Sequence, residues 1–343
     1  MKTMDDTRKP GHGVPLEQVA GGTAVGALVW QVDAQSDYEP FAAMFAAGAR
    51  DRSQRLIYFR FGDGPMLTTT DAMTEVVLAH PQEGFEPFIS EMLKTIHEHG
   101  NSAAYLFDCI SPLAADWFSD QMVGNFFVII CATLGGFRGT ACFAILRNLH
   151  SQYAMDPVTN TAQGLLDVCR HENRLYVQPL KMEYESLSCP HVLHVCKNGH
   201  FESVRDSHTA AVALTAGRRD NLGLARHHLG VWSRTFVEAE ALLDAQKQRG
   251  VCTEKTRAMC DRILRMAVTR DPRVLRLVQR YFSLEDLVFL GTRMLGTGLI
   301  GGKAADMLLA RAALLLRDPL WRDLLESHDS FFIPSDVFYT FLV

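Results

Sequence analysis

What this chain of 343 residues has little of narrows its function classes first. No uninterrupted apolar run approaches the ~18–20 residues that span a bilayer, so no membrane anchor is expected. Positive charge is not in excess: a net charge of −5 gives no electrostatic reason to expect nucleic acid or an anionic membrane as partner. The stretch 1–14 is polar and mixed in charge, without the apolar core of a signal peptide. Repeats and low-complexity segments are lacking too. The eight cysteines form no disulfide-like framework; several sit in apolar runs, such as 127–132 and 141–146, where cysteine behaves as a small hydrophobe. A reduced, cytoplasmic protein is expected. With 48% hydrophobic and 21% charged residues the chain is globular in type, and its length leaves room for two domains.

What is present is an alternation of strand and helix signals. Ala27–Val32, Arg55–Phe61, Ala103–Phe107, Asn125–Ala132 and Thr140–Leu146 are predicted strands, and Tyr38–Ala49 and Phe85–His99 predicted helices. Runs apolar on both faces suit a parallel sheet covered by helices on each side. Leu175–Leu180, Val192–Cys196 and Phe201–Val204 are predicted antiparallel edge strands, the last two joined by a turn at Lys197-Asn198-Gly199. From about Thr209 the period becomes helical. Leu222, Ala225, Leu229, Trp232, Phe236, Ala239 and Leu243 form one stripe, closed by a C-cap at Gly250. Thr253 opens a helix, Asp271-Pro272 another, and Ser283 with Asp286 predicts a capping box for a third.

The order of elements in residues 14–205 resembles a RecA-like ATPase core. The resemblance rests on Gly26-Ala27-Leu28-Val29-Trp30, a helix, Arg55-Leu56-Ile57-Tyr58-Phe59, and Ala104-Tyr105-Leu106-Phe107-Asp108. In such ATPases the first strand runs into a glycine-rich loop ending in lysine, whose backbone N–H groups and ammonium hold phosphates. Here that stretch is Gln31-Val32-Asp33-Ala34-Gln35-Ser36-Asp37-Tyr38, with neither glycine nor lysine. Asp37 stands where the lysine would be, so a phosphate would meet negative charge. Asp108 falls at a magnesium-binding aspartate of the family, and a turn residue leading into Ser111-Pro112 is the reading preferred for it. The resemblance therefore implies an ATPase fold that has lost its ATPase site.

Cys189, His191, His194, Cys196 and His200 are residue types that zinc prefers, but their spacing fits no common finger. On a strand His194 and Cys196 share a face, and His200 would approach across the hairpin. Packing is the preferred reading, and no metal is assigned.

Residues 297–309 read Thr-Gly-Leu-Ile-Gly-Gly-Lys-Ala-Ala-Asp-Met-Leu-Leu: a flexible turn ending in Lys303, then a helix. Positive charge at a helix N-terminus, with glycines permitting close approach, suits a phosphate. Downstream lies Ser330-Phe331-Phe332-Ile333-Pro334-Ser335-Asp336-Val337-Phe338-Tyr339. Together the two segments resemble the opening of the ATP-grasp domain in phosphoenolpyruvate synthase and pyruvate phosphate dikinase. That domain begins with a Gly-Gly-Lys loop and helix, followed by a Val-Pro-containing segment. The resemblance covers about 45 residues. It implies ATP and magnesium as cofactors, with Gly301, Gly302 and Lys303 holding ATP phosphates. It departs around Ser335-Asp336, where the family has glycine, and at Met307, near a usual leucine.

The expected architecture is α/β: a degenerate RecA-like, mostly parallel sheet flanked by helices over residues 1–210. A helical region follows over 211–295, and the short start of an ATP-grasp domain over 296–343. The expected function is that of the N-terminal module of a phosphotransferase of the phosphoenolpyruvate-synthase type, inactive alone. The alternative is a non-enzymatic RecA-like scaffold. Partners are expected to be a nucleotide and either further copies of the chain or missing C-terminal domains. The apolar set Phe331, Phe332, Val337, Phe338, Tyr339, Phe341 and Leu342 is expected to seek cover from a neighbouring chain.

Overall fold

The computed structural model describes residues 16–22, 26–62, 64–183, 192–197, 199–219, 230–249, 254–318, 320–325 and 330–342. They form two compact units: 1–112 with 126–149 and 155–224, and 113–125 with 150–154 and 225–343.

The first unit opens with the short helix α1 (Leu16–Ala20), strand β1 (Gly26–Val32) and helix α2 (Glu39–Asp51). Strands β2 (Arg55–Arg60) and β3 (Thr74–Leu78), helix α3 (Phe85–His99) and β4 (Ala103–Cys109) follow. After α4 (Leu113–Trp117), which belongs to the second unit, and α5 (Asp120–Phe137), whose residues from 126 on belong to the first, come β5 (Thr140–Leu146), α6 (Gln152–Thr161), β6 (Gly164–His171) and β7 (Arg174–Met182). The hairpin β8 (His194–Lys197) and β9 (His200–Ser203) leads to α7 (Ser207–Arg219). One nine-stranded sheet results, in the order β3-β2-β4-β5-β1-β6-β7-β8-β9. It is parallel from β3 through β6 and antiparallel from β6 to β9.

Alternation along the strands divides the core between the two faces of the sheet. Leu28, Trp30, Leu56, Tyr58, Leu106 and Cys142 belong to the cluster that packs with Phe41, Phe45 and Ala49 of α2. Trp30 stacks on Phe41 at 4.0 Å between ring centroids. The next residues along the strands face the other way. There Phe107 stacks on Phe59 at 4.9 Å and on Phe143 at 4.2 Å, and Phe127 meets Phe143 edge-on at 5.0 Å. Each buried phenylalanine contributes roughly 1.5–3 kcal/mol by area alone.

Asn125–Ala132 is not a strand, as its apolar run predicts, but the middle of α5. Burial at Phe126, Phe127, Ile130, Cys131 and Leu134 follows the helical period. Among the described residues α5 is the one helix long and apolar enough, by length and composition, to cross a membrane; 56% of its 18 residues are buried in the protein. Two strands without a sequence signal, β3 and β6, complete the sheet.

The second unit is helical. Its main elements are α8 (Val231–Arg249), α9 (Glu254–Ile263), α10 (Pro272–Tyr281), α11 (Leu284–Thr292) and α12 (Gly302–Arg317). The short α13 (Trp321–Leu324) and α14 (Ser335–Leu342) follow. The predicted caps are in place. The Asp271 carboxylate accepts from the Arg273 and Val274 N–H groups, and Ser283 and Asp286 form a reciprocal capping box. Gly250, Thr253 and the stripe residues Leu222, Ala225 and Leu229 lie outside the described residues. Trp232, Met259, Ile263, Leu275, Val278, Leu287 and Ile300 are among the buried residues of this unit's core. A π-helical turn at Leu264–Val268 ends α9, and the Ala267 carbonyl accepts from the Ile300 N–H at 2.8 Å.

Candidate functional site

Two places merit attention, one in each unit. In the first unit the loops at the carboxyl ends of the parallel strands form the crevice where open α/β sheets bind ligands. Beyond β1 the chain makes a single 3₁₀ turn, Gln35–Asp37, and enters α2. Asp37 does not present its charge to a ligand. Its side chain is 3% exposed, and Arg170 of β6 reaches the same oxygen, Oδ1, with Nη2 at 2.6 Å and Nε at 2.7 Å. Arg147, just past β5, binds Asp33 at 3.0 Å and Asp167 of β6 at 2.8 Å. Tyr38 drives its hydroxyl under the crevice, donating to the carbonyls of Phe107 at 3.2 Å and Cys142 at 3.3 Å. Burial pushes its phenol well above the ordinary range. Past β1 the chain thus carries the ion pairs Asp37–Arg170 and Asp33–Arg147–Asp167 and the buried Tyr38.

Asp108 closes the neighbouring part of the edge. It accepts from the Tyr58 hydroxyl at 2.5 Å through Oδ1 and from the Phe61 N–H at 3.0 Å through Oδ2. Burial raises its pKa above the usual carboxylate value, against the lowering effect of those bonds and of Arg60. It lines a cavity of about 210 Å³ with Gln35, Glu39, Leu67 and Cys109 among its walls. Ser111 turns back to accept from the Leu146 N–H at 2.7 Å, so the turn that follows Asp108 has a structural task.

In the second unit the Gly301-Gly302-Lys303 segment starts α12. Gly301 is the N-cap, with extended backbone, and its carbonyl accepts from Ala304 at 3.0 Å and Ala305 at 3.1 Å. The N–H groups of Gly302 and Lys303, at the opening of the helix, have no preceding helical carbonyl to reach. A side chain placed on either glycine would meet nothing within 4 Å, and Lys303 is exposed.

The two segments that carry the ATP-grasp resemblance lie side by side. Met294 and Phe332 form a parallel bridge; Leu295 donates to the Phe332 carbonyl at 2.9 Å, and Phe332 to that of Arg293 at 2.8 Å. Ser335 donates to the Leu299 carbonyl at 3.0 Å. Past Pro334 the backbone goes into the helix α14. Asp336, 3% exposed, accepts at 2.7 Å from both the N–H and the hydroxyl of Thr297. The Thr297 hydroxyl also meets that of Ser119 at 2.5 Å, and Asn125 donates to the Asp336 carbonyl at 3.3 Å. Burial pushes the Asp336 carboxyl up, opposed by these bonds. Sequence reasoning did not reach this network, because Ser119 and Asn125 lie some 180–210 positions from Thr297 and Asp336 and belong to no recognisable motif.

Of the residues with zinc-ligand chemistry, Cys189 and His191 lie outside the described residues. His194 and Cys196 share a face of β8, and His200 lies across the hairpin opposite Lys197. Burial lowers the basicity of His194, and Cys196 packs against the first unit's core. Among the described residues no group of three or more His, Cys, Asp or Glu side chains is gathered to hold a metal.

The chain is thus an α/β protein with a nine-stranded, mostly parallel sheet. In comparisons with known proteins, no family model and no curated protein matches it.

Proposed function

We propose that the chain is the amino-terminal module of a phosphotransferase of the phosphoenolpyruvate-synthase type, contributing an ATP-phosphate contact without catalysing transfer by itself. One observation carries the reading: Gly301-Gly302-Lys303 opens a 16-residue helix, and the residues just before it are hydrogen-bonded to those flanking Ile333-Pro334, Ser335 N–H to the Leu299 carbonyl and Leu295 N–H to the Phe332 carbonyl. Two motifs that are weak separately form one local structure. Lys303 and the first N–H groups of α12 then face a phosphate with a point charge and a helix dipole, and the bare glycines allow close approach.

Among the described residues nearby, no group of carboxylates is gathered as a magnesium site. Asp306 is exposed one turn into α12, and the Asp336 carboxylate is taken by Thr297. Transfer of a phosphoryl group depends on metal-assisted charge stabilisation and on an acceptor, so no step is assigned to this module. Calorimetric titration of the chain with ATP in magnesium buffer, beside Lys303→Ala, tests the assignment. Binding that weakens at least tenfold in the variant is expected; equal affinity in the two proteins removes Lys303 from the site.

A second reading has its own support. A RecA-like first unit fits the central β1, its parallel neighbours and the order of elements. The ion pairs Asp37–Arg170 and Asp33–Arg147–Asp167 favour a scaffold role for it rather than ATP hydrolysis. Magnesium-dependent ATP hydrolysis that survives Lys303→Ala would overturn that role.

A further inference from the structure

The two edges of the sheet are treated differently. At one edge β9 is short and polar. Its Phe201 N–H is taken by the Glu17 carboxylate at 2.6 Å, and Lys197 pairs with Glu202 across the hairpin at 2.5 Å. These are the devices by which proteins blunt a free edge.

At the other edge β3, Thr-Glu-Val-Val-Leu, carries neither lysine nor proline. Among the described residues it pairs with β2 alone, in the register Leu56↔Thr74 to Arg60↔Leu78. The bonds Leu56 N–H to Met73 carbonyl and Ala79 N–H to Arg60 carbonyl fix which groups face inward. In a parallel ladder they turn Glu75 and Val77 toward β2 and aim the N–H and C=O of Val76 and Leu78 outward. Only the Thr74 N–H, among the outward donors, has a local acceptor, the Asp71 carbonyl at 3.1 Å. Apolar side chains accompany this open edge: Val76 is 37% exposed, Leu78 46%, and Met73, just before the strand, 41%.

We propose that β3 is a homodimer interface, pairing antiparallel with β3 of a second copy about a two-fold axis at Val76. The strand is its own complement. With Val76 opposite Val76 of the other copy, Thr74 falls opposite Leu78 and Glu75 opposite Val77. Every outward donor then finds an acceptor, and β-branched side chains meet at the centre. No like charges face each other: Glu75 is held on its own chain by Arg55 at 2.9 Å. A foreign strand would satisfy the backbone equally, but only self-pairing follows from the Thr-Glu-Val-Val-Leu pattern, and two-fold closure stops growth at two chains. The inference does not depend on nucleotide binding.

Sedimentation velocity of the full chain over a micromolar concentration series is the test, run with Val76→Pro and Leu78→Lys. The wild type is expected to reach twice the chain mass, and each variant to raise the dimer dissociation constant at least tenfold with an unchanged circular dichroism spectrum. Oxidation of Val76→Cys gives a second readout. A hydrogen-bonded antiparallel pair sets Cα atoms about 5.5 Å apart, within disulfide reach. A crosslinked dimer is therefore expected there and absent in the wild type and in Ala79→Cys. A wild type of single-chain mass throughout overturns the proposal. So does a dimer that persists in folded Leu78→Lys, or a Val76→Cys protein that does not crosslink.

Discussion

Arg170 holds the buried carboxylate of Asp37 across 133 positions of sequence, with Nη2 at 2.6 Å and Nε at 2.7 Å from one oxygen. The pair ties the turn after β1 to the strand β6, where a nucleotide-binding sheet would leave room for a ligand. Removing the cation leaves a carboxylate 3% exposed with little else to compensate it. Buried pairs broken on one side cost about 3–5 kcal/mol. Arg170 is itself 42% exposed, so water replaces part of its effect. Arg170→Ala is expected to lower unfolding free energy by roughly 2–3 kcal/mol in urea titrations. Arg170→Ala with Asp37→Asn should recover part of that loss; a loss below about 0.5 kcal/mol in the single variant would class the pair with ordinary surface bridges.

The same pair explains where sequence reading stopped. Phe85–His99, Thr140–Leu146 and the caps at Asp271 and Ser283 were legible because each is a local pattern: one apolar stripe, one continuous apolar run, one polar residue before a helix. Strand β6 was not, because Asp167 and Arg170 interrupt its apolar character, and these are the residues that close the crevice. Asn125–Ala132 misled for the opposite reason, since a short apolar run rich in Phe and Ile has no period to separate strand from buried helix. Of the candidate sites, the Gly-Gly-Lys turn could be read locally. The role of Asp37 could not, since it depends on a partner that only the fold brings near.

Gly48 of α2 packs closely against Gly21, the residue just past α1. A methyl group on Gly48 would stand 2.1 Å from the Gly21 carbonyl oxygen, which is backbone and cannot swing aside. Gly48→Ala is therefore expected to destabilise the protein by about 1–3 kcal/mol, the usual cost of overpacking, despite the better helix propensity of alanine. Urea unfolding decides it: a variant equal to or more stable than wild type would mean that α1 moves away without cost.

Acid should weaken the second unit through His150. Burial lowers its basicity to about 4, outweighing the opposite effect of Asp120. A folded value below the unfolded one of about 6.5 means that the unfolded chain binds the extra proton. The contribution is fully present above about pH 6.5 and is lost as the pH falls toward 4. At one pH unit per about 1.4 kcal/mol, it amounts to roughly 3 kcal/mol. His150→Gln should flatten this part of the pH–stability profile, measured by urea unfolding between pH 4 and 7; an unchanged slope would assign the acid sensitivity to other groups.

The glycines of the Gly-Gly-Lys turn separate binding from folding. A β-carbon on Gly301 or Gly302 meets nothing within 4 Å, and Gly301 has φ −63° and ψ 149°, which any residue adopts. Neither glycine is required for the fold by space, nor Gly301 by its dihedral angles. Gly301→Ala and Gly302→Ala should keep the unfolding free energy within about 1 kcal/mol of wild type. If a phosphate seats on the first N–H groups of α12, the same methyl groups stand in its way, and ATP affinity should fall several-fold while the circular dichroism spectrum stays the same. Loss of affinity with stability intact would mean that these positions are kept bare for a ligand. Full affinity in both variants would show that a phosphate, if held there at all, is held by the Lys303 ammonium and not by the backbone.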